Sequence, residues 1–288
     1  MYDLAIGDRT YSSWSLRGWL LFVKFGIPVR VRTGRLYSPD FSRLMAEFAP
    51  ARMVPAMRVP EGYVVAETLA IAETLAERHP EAGLWPEDAE ARASARWLCS
   101  EMHAGFTNLR NDCAMNLAKS YSESAPRPEV LADVARIEAL WTHARARHGA
   151  DGPWLFGRYT AADAFFAPVA ARIAGYNLPV EAQAAAYVSA HLADPAFRRW
   201  RAMGWAEHFE QSFYRKPYPE RPWPGPEAMA ARACDGPSVN AECPYSGKPV
   251  THFLEAGGRV FGFCNAFCRD KTLADPEAWP QFMVIYRS

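Results

Sequence analysis

The apolar pattern of this chain changes period once, and that change limits the folds open to it. Before residue 80, stretches with a period of two alternate with stretches of helical period; from residue 88 to about 213 only the helical period remains. Tyr2, Leu4 and Ile6 alternate as a strand does. Leu16, Trp19, Leu20 and Val23 share one helical face, and Gly26-Ile27-Pro28 stops that helix. Val29, Val31 and Thr33 read as a second strand. Residues 55–59 and 63–66 flank Pro60-Glu61-Gly62 as the arms of a hairpin, and Thr68 opens a helix to about Arg78. The order βαβ, a connecting segment, then ββα predicts a small α/β domain with a mixed sheet over 1–80. The second block predicts an all-helical domain of five or six helices over 88–213. Within it, Thr160-Ala161-Ala162-Asp163 has the form of a capping box, with Asp where Glu or Gln is usual.

Bulk properties narrow the classes of partner. With 288 residues the chain has room for two domains and a small third. Lys+Arg and Asp+Glu balance at 32 each, so the basic excess expected of a nucleic-acid or membrane-surface binder is absent. No apolar run reaches the roughly 20 residues of a membrane span. The start, Met1-Tyr2-Asp3-Leu4, lacks a basic, then apolar, signal peptide. The expectation is a cytoplasmic protein with neither nucleic-acid nor membrane partners. In that compartment six cysteines suggest thiols or metal ligands more than disulfides. Cys99 and Cys113 fall in the helical block and read as core residues.

The other four cysteines lie in the tail. Residues 214–226 carry Pro217, Pro219, Pro222, Pro224 and Pro226 and read as an extended linker. Beyond it, 251–254 and 259–263 flank Glu255-Ala256-Gly257-Gly258 as a hairpin, and a short helix follows from Asn265. The tail, 241–288, is therefore expected to be a small β-hairpin/helix module rich in cysteine. Cys264 and Cys268, four apart, face one side of a helical turn and can converge on one ion. Cys243 would come from the turn before the hairpin. A unit of under 50 residues has little core of its own, which favours a metal or docking. A closed zinc site needs four ligands; His252 and Cys234 are the candidates for the fourth.

Three segments of the first 80 residues resemble glutathione S-transferases. Tyr11-Ser12-Ser13-Trp14-Ser15-Leu16-Arg17 is similar to the Ser-Ser-Cys-Ser-x-Arg signature of the zeta class, with Trp14 in place of the cysteine. Pro50-Ala51-Arg52-Met53-Val54-Pro55-Ala56-Met57 resembles that family's Asn-Pro-x-x-Gln-Val-Pro-x-Leu segment. Ala66-Glu67-Thr68-Leu69-Ala70-Ile71 resembles its Glu/Gln-Ser-x-Ala-Ile segment. The resemblance implies a thioredoxin-like N-terminal domain followed by an all-α domain. It also implies a homodimer and glutathione as substrate. Val54, before a cis-Pro55, would pair with the cysteinyl part, and Glu67 and Thr68 would hold the γ-glutamyl group. Ser12 would act as the catalytic hydroxyl, with Ser13 beside it as the alternative. A hydroxyl at a helix N-terminus suits that task, because it donates to a thiolate where the helix end adds positive charge. Either serine could equally serve only as a cap.

Departures from the pattern are Ala49 for Asn, Met53 for Gln and, where the zeta class places an arginine, Gly175. They weigh against activity of the maleylacetoacetate isomerase type without excluding it. Arg172, one turn away, is the nearest arginine to that position and could serve a substrate carboxylate, but reads more readily as a solvated surface charge. The electrophile pocket is not legible, with Trp97, Phe106, Arg110, Phe165 and Tyr176 as candidates. In the tail, Cys243, twenty residues, Cys264, three residues and Cys268 resemble the YHS/TRASH family of metal-associated modules. That resemblance implies a soft ion, zinc first, on Cys243, Cys264, Cys268 and His252. The function expected is activation of the glutathione thiolate for attack on a small electrophile. The alternative is a non-catalytic metal-binding or sensor protein on the same fold.

Overall fold

The computed structural model describes every residue of the chain except Ala150 and His208. Four strands form the first sheet: β1 (Tyr2–Ile6), β2 (Val29–Thr33), β3 (Ala56–Arg58) and β4 (Val64–Ala66), in the order β2-β1-β3-β4. β1 and β2 are parallel, with Leu4 opposite Val31, and α1 (Ser13–Val23) makes the crossover that a parallel pair requires. β3 runs antiparallel to β1, with Leu4 opposite Met57, and β4 returns antiparallel to β3. The segment read from sequence as a connection contains a helix, α2 (Pro39–Glu47), capped by Ser38 with Pro39 in its first turn. Its Leu44 and Met45 pack with Phe48 and Val54 against Ala5 and Ala56 of the sheet. Only two of its nine residues are buried, so its apolar stripe is too thin to read. α3 (Thr68–Arg78) closes this layer.

Among the described residues that follow, the elements are helices: α4 (Ala89–Ala104), α5 (Thr107–Asp112), α6 (Pro128–His148), α7 (Ala161–Gly175), α8 (Ala182–Ala193) and α9 (Pro195–Ala206). α7 is buried along all fifteen residues and packs against α1 and α4. Its start is the capping box expected from sequence. Asp163 accepts from the Thr160 backbone N–H (2.8 Å) and hydroxyl (3.0 Å). The same carboxylate accepts from Leu155 N–H (3.1 Å) and the Tyr187 hydroxyl (2.8 Å), so one buried side chain ties a loop and α8 to the helix. Among the described residues no helix is long and apolar enough to cross a membrane.

Contacts divide the chain into two compact units, Met1–Leu192 with Phe213–Pro224, and Ala193–Ser212 with Gly225–Ser288. The proline-rich stretch is thus no free linker over its first part. Ser122 N–H bonds Pro219 O (3.0 Å), Arg221 N–H bonds Ser120 O (2.9 Å), and Lys119 pairs with Glu220 at 2.6 Å. Prolines leave enough donors and carbonyls between them for the strand-like strap that forms.

The second unit has a three-stranded antiparallel sheet of β5 (Ala231–Cys234), β6 (His252–Ala256) and β7 (Arg259–Phe263), in that order. The expected hairpin is β6–β7, turned at Gly257 and Gly258, both at positive φ. The expected helix is α10 (Ala266–Ala274), capped by Asn265. α11 (Pro280–Arg287) follows. Leu254, Phe261, Phe263, Trp279 and Phe282 make its core, and α9 packs on α10 with Arg198 bidentate on Asp275 at 2.7 and 2.6 Å. The unit therefore draws on more chain than residues 241–288. α9 continues the helical period of the block before it, and β5 is a four-residue edge strand with two exposed side chains, so neither announces its partner in sequence.

Candidate functional site

Two adjoining clefts open in the first unit. One, about 380 Å³, is lined by Trp14, Arg52, Met53, Val54, Pro55, Ala66, Glu67, Thr68, His103 and Arg110. Its floor is the N-terminus of α3, where unpaired backbone N–H groups and the helix dipole favour an anion. Thr68 is fully buried there, and its hydroxyl has no partner among the described residues. Glu67, the residue before it, holds φ at 69° and turns the chain into the helix. The Val54–Pro55 bond is cis. α1 approaches it closely through Gly18, where a Cβ would stand 2.7 Å from the Pro55 side chain. His103 closes the rim, 3.4 Å from the Glu67 carboxylate, and burial lowers its pKa against the pull of Glu67.

The second cleft, about 420 Å³, shares Trp14, Met53, Val54 and Arg110 with the first and adds Tyr11, Ser12, Ser13, Tyr37, Asn111, Arg172 and Tyr214. Both serines face it. Ser12 caps α1, accepting from Ser15 N–H at 3.3 Å, and its hydroxyl lies 2.7 Å from that of Ser15. Ser15 in turn accepts from Gly7 N–H at 2.9 Å. Ser13 accepts from Arg172 at 3.2 Å.

Arg172 is not the solvated charge read from sequence. It is 4% exposed and donates to Cys113 O at 3.0 Å. Burial, and then the neighbouring Arg110, pull its guanidinium down to about 10. Of the sequence candidates for this wall only Arg110 lines it. Phe106, Phe165 and Tyr176 are buried core, and Trp97 stands exposed on α4. Tyr37, Asn111 and Tyr214 went unread, because they come from three separated segments with no spacing to link them. Arg17, the arginine of the serine motif, was given no role from sequence. It is fully buried, its guanidinium nitrogens have no hydrogen-bond partner among the described residues, and it lies 4.4 Å over the Trp14 ring. Arg110 is also within reach of that ring, at 5.5 Å. Burial, with Arg172 and Arg110 adding to it, holds Arg17 well below the ordinary arginine range. In the linings of the two clefts Arg52, Arg110 and Arg172 outnumber the one carboxylate, Glu67.

In the second unit, Cys243, Cys264 and Cys268 converge, their sulfurs all within 4.8 Å of one another. Cys264 and Cys268 Sγ are 3.8 Å apart. Two thiolates at about 2.3 Å from a tetrahedral zinc stand about 3.8 Å apart, so the spacing fits an ion. His252 is not in this group. Its ring meets the Thr251 hydroxyl at 2.9 Å on β6, opposite Phe263. Cys234 pairs across the sheet with Phe253 and does not join either. Ser246 does lie at the cluster, its hydroxyl 3.2 Å from Cys264 Sγ. Burial raises the Cys243 thiol, but the backbone N–H groups of Cys264 and Tyr245 and the Ser246 hydroxyl outweigh it and bring it to about 7.

Residues 11–78 match the family model described as glutathione S-transferase, N-terminal domain. A probable maleylacetoacetate isomerase of Caenorhabditis elegans is 33% identical over 103 residues, 36% of this chain and 47% of the relative. The maleylacetoacetate isomerase of Dictyostelium discoideum is 29% identical over 119 residues, 40% and 52% of the two chains. The chain spans about half the length of these curated relatives. Among solved structures, a glutathione transferase homolog from Burkholderia gl BGR1, with bound glutathione, superposes with a TM-score of 0.54 at 21% identity, over 70% of this chain and 97% of the other. A maleylacetoacetate isomerase from Anaeromyxobacter dehalogenans 2CP-1, with glutathione in its active site, gives 0.51 at 23% identity, over 69% and 94%. The chain thus carries the glutathione-transferase fold, with residues 11–78 matching the N-terminal domain of that family.

Proposed function

We propose that the chain binds glutathione along Val54, Pro55, Glu67 and Thr68 and activates its thiol with Ser12, for attack on a small electrophile that bears a carboxylate. The buried Thr68 hydroxyl, unpartnered at the N-terminus of α3 and lining the first cleft, carries the reading. Burying a hydroxyl without a partner is unfavourable unless a ligand completes it, and a γ-glutamyl carboxylate would do so. Arg110 and Arg172, on the wall beyond the serines, favour an anionic second substrate. Two relatives carry the name of an isomerase. Addition of the thiolate across a carbon–carbon double bond, rotation, and loss of the same thiolate would serve that reaction with no group consumed. The family resemblance also supports a cytoplasmic homodimer.

Retention on immobilised glutathione tests the site. Thr68→Ala should weaken glutathione binding about 10- to 100-fold, the effect of removing one hydrogen bond to a charged group. Glutathione binding by Thr68→Ala at wild-type strength, measured by calorimetry, would remove the assignment.

The same reading extends to a soft ion, zinc first, held by the three tail cysteines. The ligands are thiolates, the donor type that such ions prefer. Protein purified without chelator should contain about one zinc per chain by elemental analysis. A chelator should then release up to three further thiols to a thiol reagent, because metal and reagent compete for the same sulfurs. No metal in the purified protein, together with no protection of thiols by added zinc, would defeat the metal reading and leave the glutathione site untouched.

A further inference from the structure

The three cysteines leave the fourth corner of a tetrahedral site to something else. Among the described residues, no other Cys, His, Asp or Glu joins the cluster. The polar side chain beside the cluster is Ser246, whose hydroxyl donates to Cys264 Sγ at 3.2 Å. It is placed by a tight turn in which Ser246 and Gly247 N–H return to Cys243 O at 3.3 and 2.9 Å. A neutral hydroxyl is a weak donor to a borderline-soft ion, and a thiolate is a strong one.

The corner also faces outward. Cys243 and Cys268 are buried, whereas Ser246, Gly247, Lys248 and Asn265 around Cys264 are exposed. Nothing lies within 4 Å of the space above Gly247. The Lys271 ammonium, packed 3.7 Å over Tyr245 and 4.0 Å over Trp279, is the cation whose field reaches Cys268, so added negative charge at the ion is partly offset.

We propose that the Cys243–Cys264–Cys268 site is open at the Ser246 corner and takes a small-molecule thiol there as an exchangeable fourth ligand. The proposal rests on the reading of these cysteines as ion ligands. The exchange is simple in balance: the incoming thiol gives its proton to solvent and binds as thiolate, and the Ser246 hydroxyl or a water leaves the ion unchanged. Three protein ligands and one replaceable position are the arrangement of zinc sites that bind substrate, whereas structural sites are closed by four.

The full chain loaded with Co(II) tests this, because thiolate-to-cobalt absorption scales with the sulfurs bound. Millimolar glutathione or 2-mercaptoethanol should raise that absorption by roughly one third, from three sulfurs to four. S-methylglutathione, which has no thiol, should leave it unchanged. Ser246→Cys should show the four-sulfur spectrum without added thiol and should not respond to glutathione. A wild-type cobalt spectrum that is present but indifferent to both thiols would overturn the open corner and leave the metal site standing. A four-sulfur spectrum that appears without added thiol, grows with protein concentration and accompanies a dimer in light scattering would assign the corner to a second copy and overturn the small-thiol ligand. Absence of any cobalt–thiolate band in both wild type and Ser246→Cys would remove the metal site itself.

Discussion

Ser12→Ala should lower turnover by about 10²–10³ while changing glutathione binding little, by analogy with the loss of one oxyanion donor. Ser15 accepts from Gly7 N–H, so its own hydroxyl proton is free to point at Ser12, 2.7 Å away. With the Ser15 hydroxyl as donor, Ser12 accepts from it and from the Ser15 N–H, and this arrangement leaves the Ser12 proton for the cleft. A free thiol near pH 8.5 is only a few per cent thiolate at pH 7, and a donor aimed at sulfur from a helix N-terminus shifts that balance. The thiol pKa of bound glutathione, followed by thiolate absorbance, should rise in the variant. Ser12 is also the cap of α1, so about 0.5–2 kcal/mol of stability goes with it, and thermal unfolding must be measured beside the kinetics. Ser13 keeps its own proton too, since it accepts from Arg172. Loss of activity in Ser13→Ala but not Ser12→Ala would move the assignment by one residue; full activity in both would dismiss it.

What could be read from the sequence was local. Strands β1 to β4 and the hairpin β6–β7 follow alternation and turn residues, and the Thr160–Asp163 box follows a four-residue rule. Two of the three segments that resemble glutathione transferases stand at the N-termini of α1 and α3, because Ser12 and Thr68 mark helix starts. What could not be read depends on contacts between distant segments. Arg172 looks like any arginine one turn from a helix end, and only the packing of α7 buries it against Ser13, 159 positions away. Arg17 sits among apolar residues as surface arginines often do, yet α1 is covered on that side by Phe165 and Trp14. The tail shows both outcomes. The i, i+4 cysteines converge as helical geometry requires, while the turn after Cys243 brings the Ser246 hydroxyl, and not His252, beside the cluster.

Replacing Asp163 by alanine should destabilise the first unit by about 3–5 kcal/mol, through the buried donors it leaves without an acceptor. Two effects oppose each other. Burial pushes the Asp163 carboxyl above the usual range despite four donors, so removing it relieves a desolvated group. Against that, Leu155 N–H, Thr160 N–H and the Tyr187 hydroxyl lose their acceptor in a place water does not reach, at about 1–3 kcal/mol for each group left unmade. The second effect is counted three times and the first once, so destabilisation wins. Asp163→Asn keeps one carbonyl oxygen but turns an amide N–H₂ toward donors, and should fall between wild type and alanine. Denaturant unfolding measures this directly: the midpoint should drop with the slope unchanged. Thr160→Val removes only one donor and the local cap, and should cost about 1 kcal/mol. A loss of under 1 kcal/mol in Asp163→Ala would mean that the loop at Leu155 and helix α8 are held to α7 by apolar packing alone.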